Sequence, residues 1–177
     1  TSVYAAAGVT GVTASNLAAI NDALNSTAVD GAAVDTTTDV QAVVDAYAAI
    51  LASADGSNNV ATSSGPTADQ YTAIGVTGVD TAVETNLLGD VIDTKASTAV
   101  DTVAKVQALA DAVAAVMTAA NSADGSEVSL ADLTALGITS VTADNLPAIQ
   151  AAIAATADDG TGVDTLADLQ AVVTAAA

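Results

Sequence analysis

The chain has 177 residues, 51% of them hydrophobic, no His, Cys, Trp or Phe, and 21 acidic residues against Lys95 and Lys105, for a net charge of −19. Without His and Cys, Ser-His-Asp and Cys-His nucleophilic sites, disulfides and the usual zinc sites cannot be built. A surface this negative repels nucleic acid and anionic lipid, so neither is an expected partner. The apolar content is mostly Ala and Val, so helices must approach closely for many small contacts to add up.

Internal repetition organises the chain. AGVTGVTASNLAAI (7–20), IGVTGVDTAVETNL (74–87) and LGITSVTADNLPAI (136–149) form one set of phrases. VDTTTDVQAVV (34–44), VDTVAKVQALA (100–110) and VDTLADLQAVV (163–173) form a second, and SADGS at 53–57 and 122–126 a third. The phrases recur every 62 to 69 residues, the scale of a small helical module.

Each copy predicts a short helix, a loop, a second helix, a turn and a longer helix. The first helix of copy one stops at Gly8, a C′ glycine matched by Gly75 and Gly137. Tyr4, Tyr71 and Leu133 sit four residues before these glycines and should fill one equivalent core position. The second helix is expected to open at Thr13, or Thr142 in copy three. Leu17, Ile20 and Leu24, like Leu146, Ile149 and Ile153, draw its stripe. The middle copy offers Val83, Leu87, Val91 and Ile92 instead.

The third helix is capped by Asp35 or Thr36, Asp101 or Thr102, and Asp164 or Thr165. Its apolar face is Val40, Val43, Val44, Tyr47, Ile50 and Leu51 in copy one. In copy two it is Val103, Val106, Leu109, Val113, Val116 and Met117, in a long helix over 104–120. In copy three SLADLTAL has Ser129 as N-cap and Asp132 at the capping-box position. Thr67 caps the first helix of copy two, and copy one lacks a counterpart.

No run reads as a membrane span: mean hydropathy is +0.52, but the longest uncharged stretch, 1–21, is broken by Gly8 and Gly11. No basic segment precedes an apolar one as a leader would. The abrupt start and the finish inside a helix lead us to expect a piece of a longer array, or chains whose ends are covered by neighbours.

Calcium is the one cofactor the sequence leaves open. Asp30 with Asp35, Asp55 with Ser57 and Asn59, Asp124 with Glu127, and Asp158 with Asp159 and Asp164 offer oxygen ligands. None follows the EF-hand spacing, and the ordinary role of such acids is capping and turn formation. Adjacent Asp158 and Asp159 read as a solvated turn, not as an acid/base pair, and no phosphate-binding glycine loop occurs. The tyrosines read as core packing, with a seam between modules as the rival. The lysines read as surface charge, with a contact to a neighbouring acidic turn as the rival.

GVTGVTASNLAAIN, GITSVTADNLPAIQAAIAA and DDGTGVDTLADLQAVV resemble the Ala/Thr/Asp-rich helical repeats of very large bacterial surface proteins, biofilm-associated adhesins among them. The module plan is similar to the albumin-binding-like (GA-like) and FIVAR-like three-helix domains of such proteins. The resemblance implies an extracellular, non-enzymatic stalk or adhesive surface on the bacterial cell. Albumin binding is not carried over, because no matching contact motif is present.

The expected fold is therefore all-α: three-helix modules over 1–64, 65–128 and 129–177, the last truncated, strung as a rod. The expected function is a structural or adhesive segment whose partners are neighbouring repeats, copies of itself or a matrix receptor. The rival is a protomer of a self-assembling extracellular filament or surface layer.

Overall fold

The computed structural model describes residues 1–57 and 65–177. Their regular structure is helical, joined by turns and irregular loops, with an isolated antiparallel bridge between Asp55 and Ala96 and no strand among the described residues. The α-helices are α1 (Ser2–Ala6), α2 (Leu17–Leu24), α3 (Thr37–Ser53), α4 (Ala68–Ala73), α5 (Ala82–Asp93), α6 (Val103–Ala120), α7 (Leu130–Ala135), α8 (Leu146–Ala154) and α9 (Leu166–Ala176). A 3-10 turn, Ser97–Ala99, precedes α6. Asn59, paired with Asp55 in the calcium reading, lies outside the described residues.

Local chemistry sets the helix ends. Thr36, Thr67, Thr81 and Ser129 open α3, α4, α5 and α7 with complete capping boxes, closed by Asp39, Gln70, Glu84 and Asp132. Thr102 and Thr165 cap α6 and α9, so Thr, not the preceding Asp, is the N-cap in all three copies of that phrase. Thr1 caps α1 with no side-chain bond.

The expected start of the second helix needs correction. α2 and α8 begin at Leu17 and Leu146, with Asn16 and Asn145 at the N-cap positions. Thr13 and Thr142 open a separate turn instead. Asn16 Oδ1 accepts from the Thr13 amide at 2.7 Å while its Nδ2 donates to the Gly11 carbonyl at 2.9 Å. Asn145 makes the same pair to Thr142 and Ser140, at 2.7 and 2.8 Å. Short Asn side chains suit this double duty because they hydrogen-bond their own local backbone.

The first helix of each copy ends in a Schellman motif. The Val9, Val76 and Ile138 amides donate to the Tyr4, Tyr71 and Leu133 carbonyls at 2.9, 3.0 and 2.9 Å. Gly8, Gly75 and Gly137 stand between them at φ +82°, +87° and +88°, where glycine avoids the Cβ penalty. Two residues before each Asn-anchored turn partner comes a further left-handed position: Gly11 at +80° in copy one, but Ser140 at +65° in copy three.

The core runs the length of the chain as one cluster, from Val9 to Val173. α3 packs against α2 but also against α4 and α5 of the next copy. α6 likewise packs on α5, α7 and α8, and α9 on α8 and α5. Helices α3 and α6 are thus shared between their own copy and the following one.

Two expectations about burial change. Tyr71 and Leu133 are fully buried, but Tyr4 is only half-buried, because no long helix lies over α1 as α3 lies over α4. α6, at 18 residues and mean hydropathy 1.4, is long and apolar enough to cross a membrane by composition, contrary to the reading of the sequence. Its Val106, Leu109, Val113, Val116 and Ala120 are instead buried against protein.

Candidate functional surface

The acids considered for calcium mostly serve their own turns. Asp30 Oδ1 accepts from the Ala32 and Ala33 amides, both at 3.0 Å. Asp55 accepts from Ser57 N at 2.9 Å and Asp124 from Ser126 N at 3.1 Å. Asp159 accepts from Thr161 N at 3.1 Å and Thr161 Oγ1 at 2.7 Å. These bonds hold the Asp124 and Asp159 carboxyls below the ordinary aspartate value, as Thr36 does for Asp39. Asp35, Glu127 and Asp158 are exposed. Among the described residues no three acids come together as a group that could hold a metal ion.

Asp164 belongs to a junction through its side chain, as Asp55 does through its backbone bridge to Ala96. Asn86 Nδ2 on α5 donates to Asp164 at 3.4 Å. Nearby, Asp90 of α5 accepts from the Leu166 amide at the start of α9, at 3.1 Å. Burial raises the Asp90 carboxyl above its usual value, the Leu166 bond opposes this, and Asp93, Asp164 and Asp168 add repulsion. Copy one repeats the arrangement: Asp22 of α2 accepts from the Val103 amide at the start of α6, at 2.7 Å. A carboxylate at a helix N-terminus satisfies an otherwise unpaired amide and meets the positive end of the dipole.

Both lysines are engaged within the chain. Lys95 donates to the Ala135 carbonyl at 2.8 Å, joining the loop after α5 to the last turn of α7, and burial lowers its pKa. Lys105 meets Asp101 at 2.6 Å and the Thr98 carbonyl at 2.8 Å. Tyr47 spans a junction too, donating to the Val100 carbonyl at 3.2 Å. Tyr4 donates to Asn21 Oδ1 at 2.6 Å. The buried Tyr71 hydroxyl meets no acceptor among the described residues.

Glycines mark where backbones meet. A Cβ on Gly75 would lie 2.8 Å from Ala28 Cβ and 3.3 Å from Val29 Cγ2, and one on Gly137 3.6 Å from Lys95 Nζ. The end of each later first helix therefore rests on the loop before the preceding long helix. Gly125 touches α8 so closely that a Cβ would fall 2.1 Å from the Gln150 carbonyl oxygen.

The residues that sequence reasoning missed are three glutamines. Gln41 Oε1 accepts from Thr10 N at 2.8 Å and its Nε2 donates to Thr10 O at 3.1 Å. Gln107 holds Thr77 in the same way, and Gln170 holds Thr139 at 2.9 and 3.3 Å. The side-chain amide thus mimics a neighbouring strand, pairing both backbone groups of the loop. Asp45, Asp111 and Thr174 accept a further bond from each amide. The signal was present: this Gln stands at the same place in all three VDT phrases.

A cleft of ≈ 320 Å³ opens between the first two copies, lined by Ser15, Asn16, Leu51, Ser97 and Asp101 among others. Asn16 and Asp101, its strongest polar groups, are already engaged by Gly11, Thr13 and Lys105. The arrangement offers junctions between helices rather than convergent reactive groups. Compared with family models, with curated proteins and with solved structures, the chain gives no match.

Proposed function

We propose that the chain is a non-enzymatic structural or adhesive segment of a large extracellular bacterial surface protein, built as tandem three-helix modules over 1–64, 65–128 and 129–177 in a rod-like array. One observation carries the reading. The polar devices that set module geometry, the glutamine clamp and the Schellman glycine, recur in every copy, and the contacts of α3 with α4 recur between α6 and α7. Such a unit extends by repetition, and stability then adds along the array. Its partners are neighbouring repeats or copies of itself, with a matrix receptor where the array is adhesive. Nucleic acid and membrane insertion have no part in it. Support for an extracellular site comes from the net charge and the absence of Cys, and from the resemblance to surface repeats.

Two measurements test this. Small-angle scattering of one, two and three fused copies of the chain should give a maximum dimension that grows linearly with copy number; a globular scaling sinks the array. Antibody against the chain should label intact, unpermeabilised cells, and labelling only after lysis sinks the surface assignment. A protomer of a self-assembling filament or surface layer is the second reading, favoured by the head-to-tail recurrence of the α3–α4 contact between α6 and α7.

A further inference from the structure

The recurring phrases let the two internal junctions be compared position by position. Met117 stands ten residues after Gln107, as Leu51 does after Gln41. Gly160 stands three before Val163, as Ser97 does before Val100. Val83 stands eight after Gly75, as Asn16 does after Gly8. Leu51, Ser97 and Asn16 line the open cleft of ≈ 320 Å³ at the first junction. At the second junction their counterparts are packed together. A Cβ on Gly160 would lie 2.7 Å from Met117 Sδ and 3.4 Å from Val83 Cγ2, so the sulfur rests against the Gly160 backbone.

The seat suits a thioether, because an unbranched, polarisable side chain fills an irregular gap. Gly160 is buried at φ +80°, and a side chain there would collide with the sulfur. The amides of the loop that carries Gly160 are committed. Gly160 N donates to the Ala157 carbonyl at 2.9 Å, Val163 N to the Gly160 carbonyl at 3.0 Å, and Thr161 N to Asp159 at 3.1 Å. A new oxygen on the sulfur would find these donors taken. Met117 is nevertheless only half-buried, as Leu51 is, although a following copy is present in both cases.

We infer that Met117 is a site of oxidation by peroxide, and that its oxidation unseats the third copy from the second. The sulfur lone pair attacks one oxygen of hydrogen peroxide. An S–O bond forms, the O–O bond breaks, and the departing hydroxide takes the proton of the transferred hydroxyl and leaves as water. Sulfur is oxidised by two electrons and peroxide is reduced by two. The sulfoxide is polar where the thioether was apolar. Keeping it on Gly160 and Val83 would bury an oxygen without a donor, so the 157–163 loop lifts. The first junction shows a tolerated open form: there the same three positions line a cleft while the helices on either side stay formed. Met117 carries the sole sulfur of the chain, and with no His, Cys or Trp a mild peroxide has no rival side chain to attack.

In the test, hydrogen peroxide is added to the folded 177-residue chain until its intact mass rises by about 16 Da, one oxygen. The melting midpoint by circular dichroism should fall by about 5 °C, the scale of one buried polar group left unpaired. Hydrogen exchange should accelerate over 157–165 and stay unchanged over 94–102, the matching loop of the first junction. Methionine sulfoxide reductases of both stereospecificities, with dithiothreitol as reductant, should restore mass and midpoint. Met117→Leu, the residue type found at position 51, should melt near the wild type and ignore peroxide. The inference is overturned by a folded chain that resists peroxide until denatured, or by an oxidised chain with unchanged midpoint and exchange. Exchange that accelerates equally in both loops overturns it too, as does a peroxide-dependent loss that survives in Met117→Leu.

Discussion

Gln107 on α6 holds both backbone groups of Thr77, accepting from its amide at 2.9 Å and donating to its carbonyl at 3.1 Å. Thirty residues of chain are closed by one side chain. Gln107→Ala should lower stability by about 1–2 kcal/mol, the net value of two hydrogen bonds. Gln107→Glu should do no better, because a carboxylate would face the Thr77 carbonyl and Asp111. Urea unfolding gives the loss, and hydrogen exchange at the Thr77 amide should accelerate in both variants.

The two SADGS turns look alike and should respond differently to the same change. Gly56 and Gly125 have φ +76° and +71°, so Ala costs about 1 kcal/mol at either from backbone alone. At Gly56 a Cβ meets nothing within 4 Å, while at Gly125 it would strike the backbone of Gln150. Gly125→Ala should therefore lose about 3 kcal/mol and Gly56→Ala about 1. Equal losses in thermal melts would contradict the close approach of that loop to α8.

Tyr71 and Tyr47 are both fully buried, but among the described residues only Tyr47 has a partner for its hydroxyl. Tyr71→Phe should be neutral or stabilising, since it removes an unsatisfied polar group. Tyr47→Phe should cost about 1 kcal/mol by orphaning the Val100 carbonyl. A cost for Tyr71→Phe as large as that for Tyr47→Phe would show an acceptor at Tyr71.

Acid should act in two directions. Asp90 is raised in the folded chain, so its contribution is present below the unfolded aspartate value of 3.8 and lost as pH rises through the folded value. Asp39, Asp124 and Asp159 are lowered, so their contributions are present above 3.8 and lost as pH falls through their folded values. Melting temperature should rise as pH drops through the raised Asp90 value toward 3.8 and fall again below 3.8. Asp90→Asn keeps an acceptor for Leu166 and should flatten the rise while leaving the fall. A rise of the same size in that variant would assign it to another group.

Calcium is tested against ionic strength. Asp30, Asp55, Asp124 and Asp159 each already accept backbone amides and point into separate turns. Calcium should then raise the melting temperature only as far as sodium chloride of matched ionic strength does. A larger shift, removed by Asp159→Asn, would place a bound ion at that turn.

What the sequence made legible was local. Ser129 with Asp132 and Thr36 with Asp39 announce helix starts through residues three apart, and the Schellman glycines announce stops the same way. The second-helix start was misplaced because Thr13 and Asn16 both suit a cap, and only the geometry shows the Asn reaching back to Gly11. Gln41, Gln107 and Gln170 escaped notice for the opposite reason. Each sits on an outward face, where glutamine reads as solvated, and its partner lies about thirty residues away. Tyr4 misled because its burial depends on a neighbouring long helix and not on its own register. The calcium candidates were legible as turns, while their failure to converge depended on tertiary placement.

The aromatic inventory carries a practical consequence. With no Trp or Phe, all ultraviolet emission comes from Tyr4, Tyr47 and Tyr71, on α1, α3 and α4. Helices α7 to α9 carry no fluorophore. An intrinsic-fluorescence melt therefore watches only the first two copies, while circular dichroism watches all three. Any gap between the two curves measures how independently the last copy comes apart, with no label added.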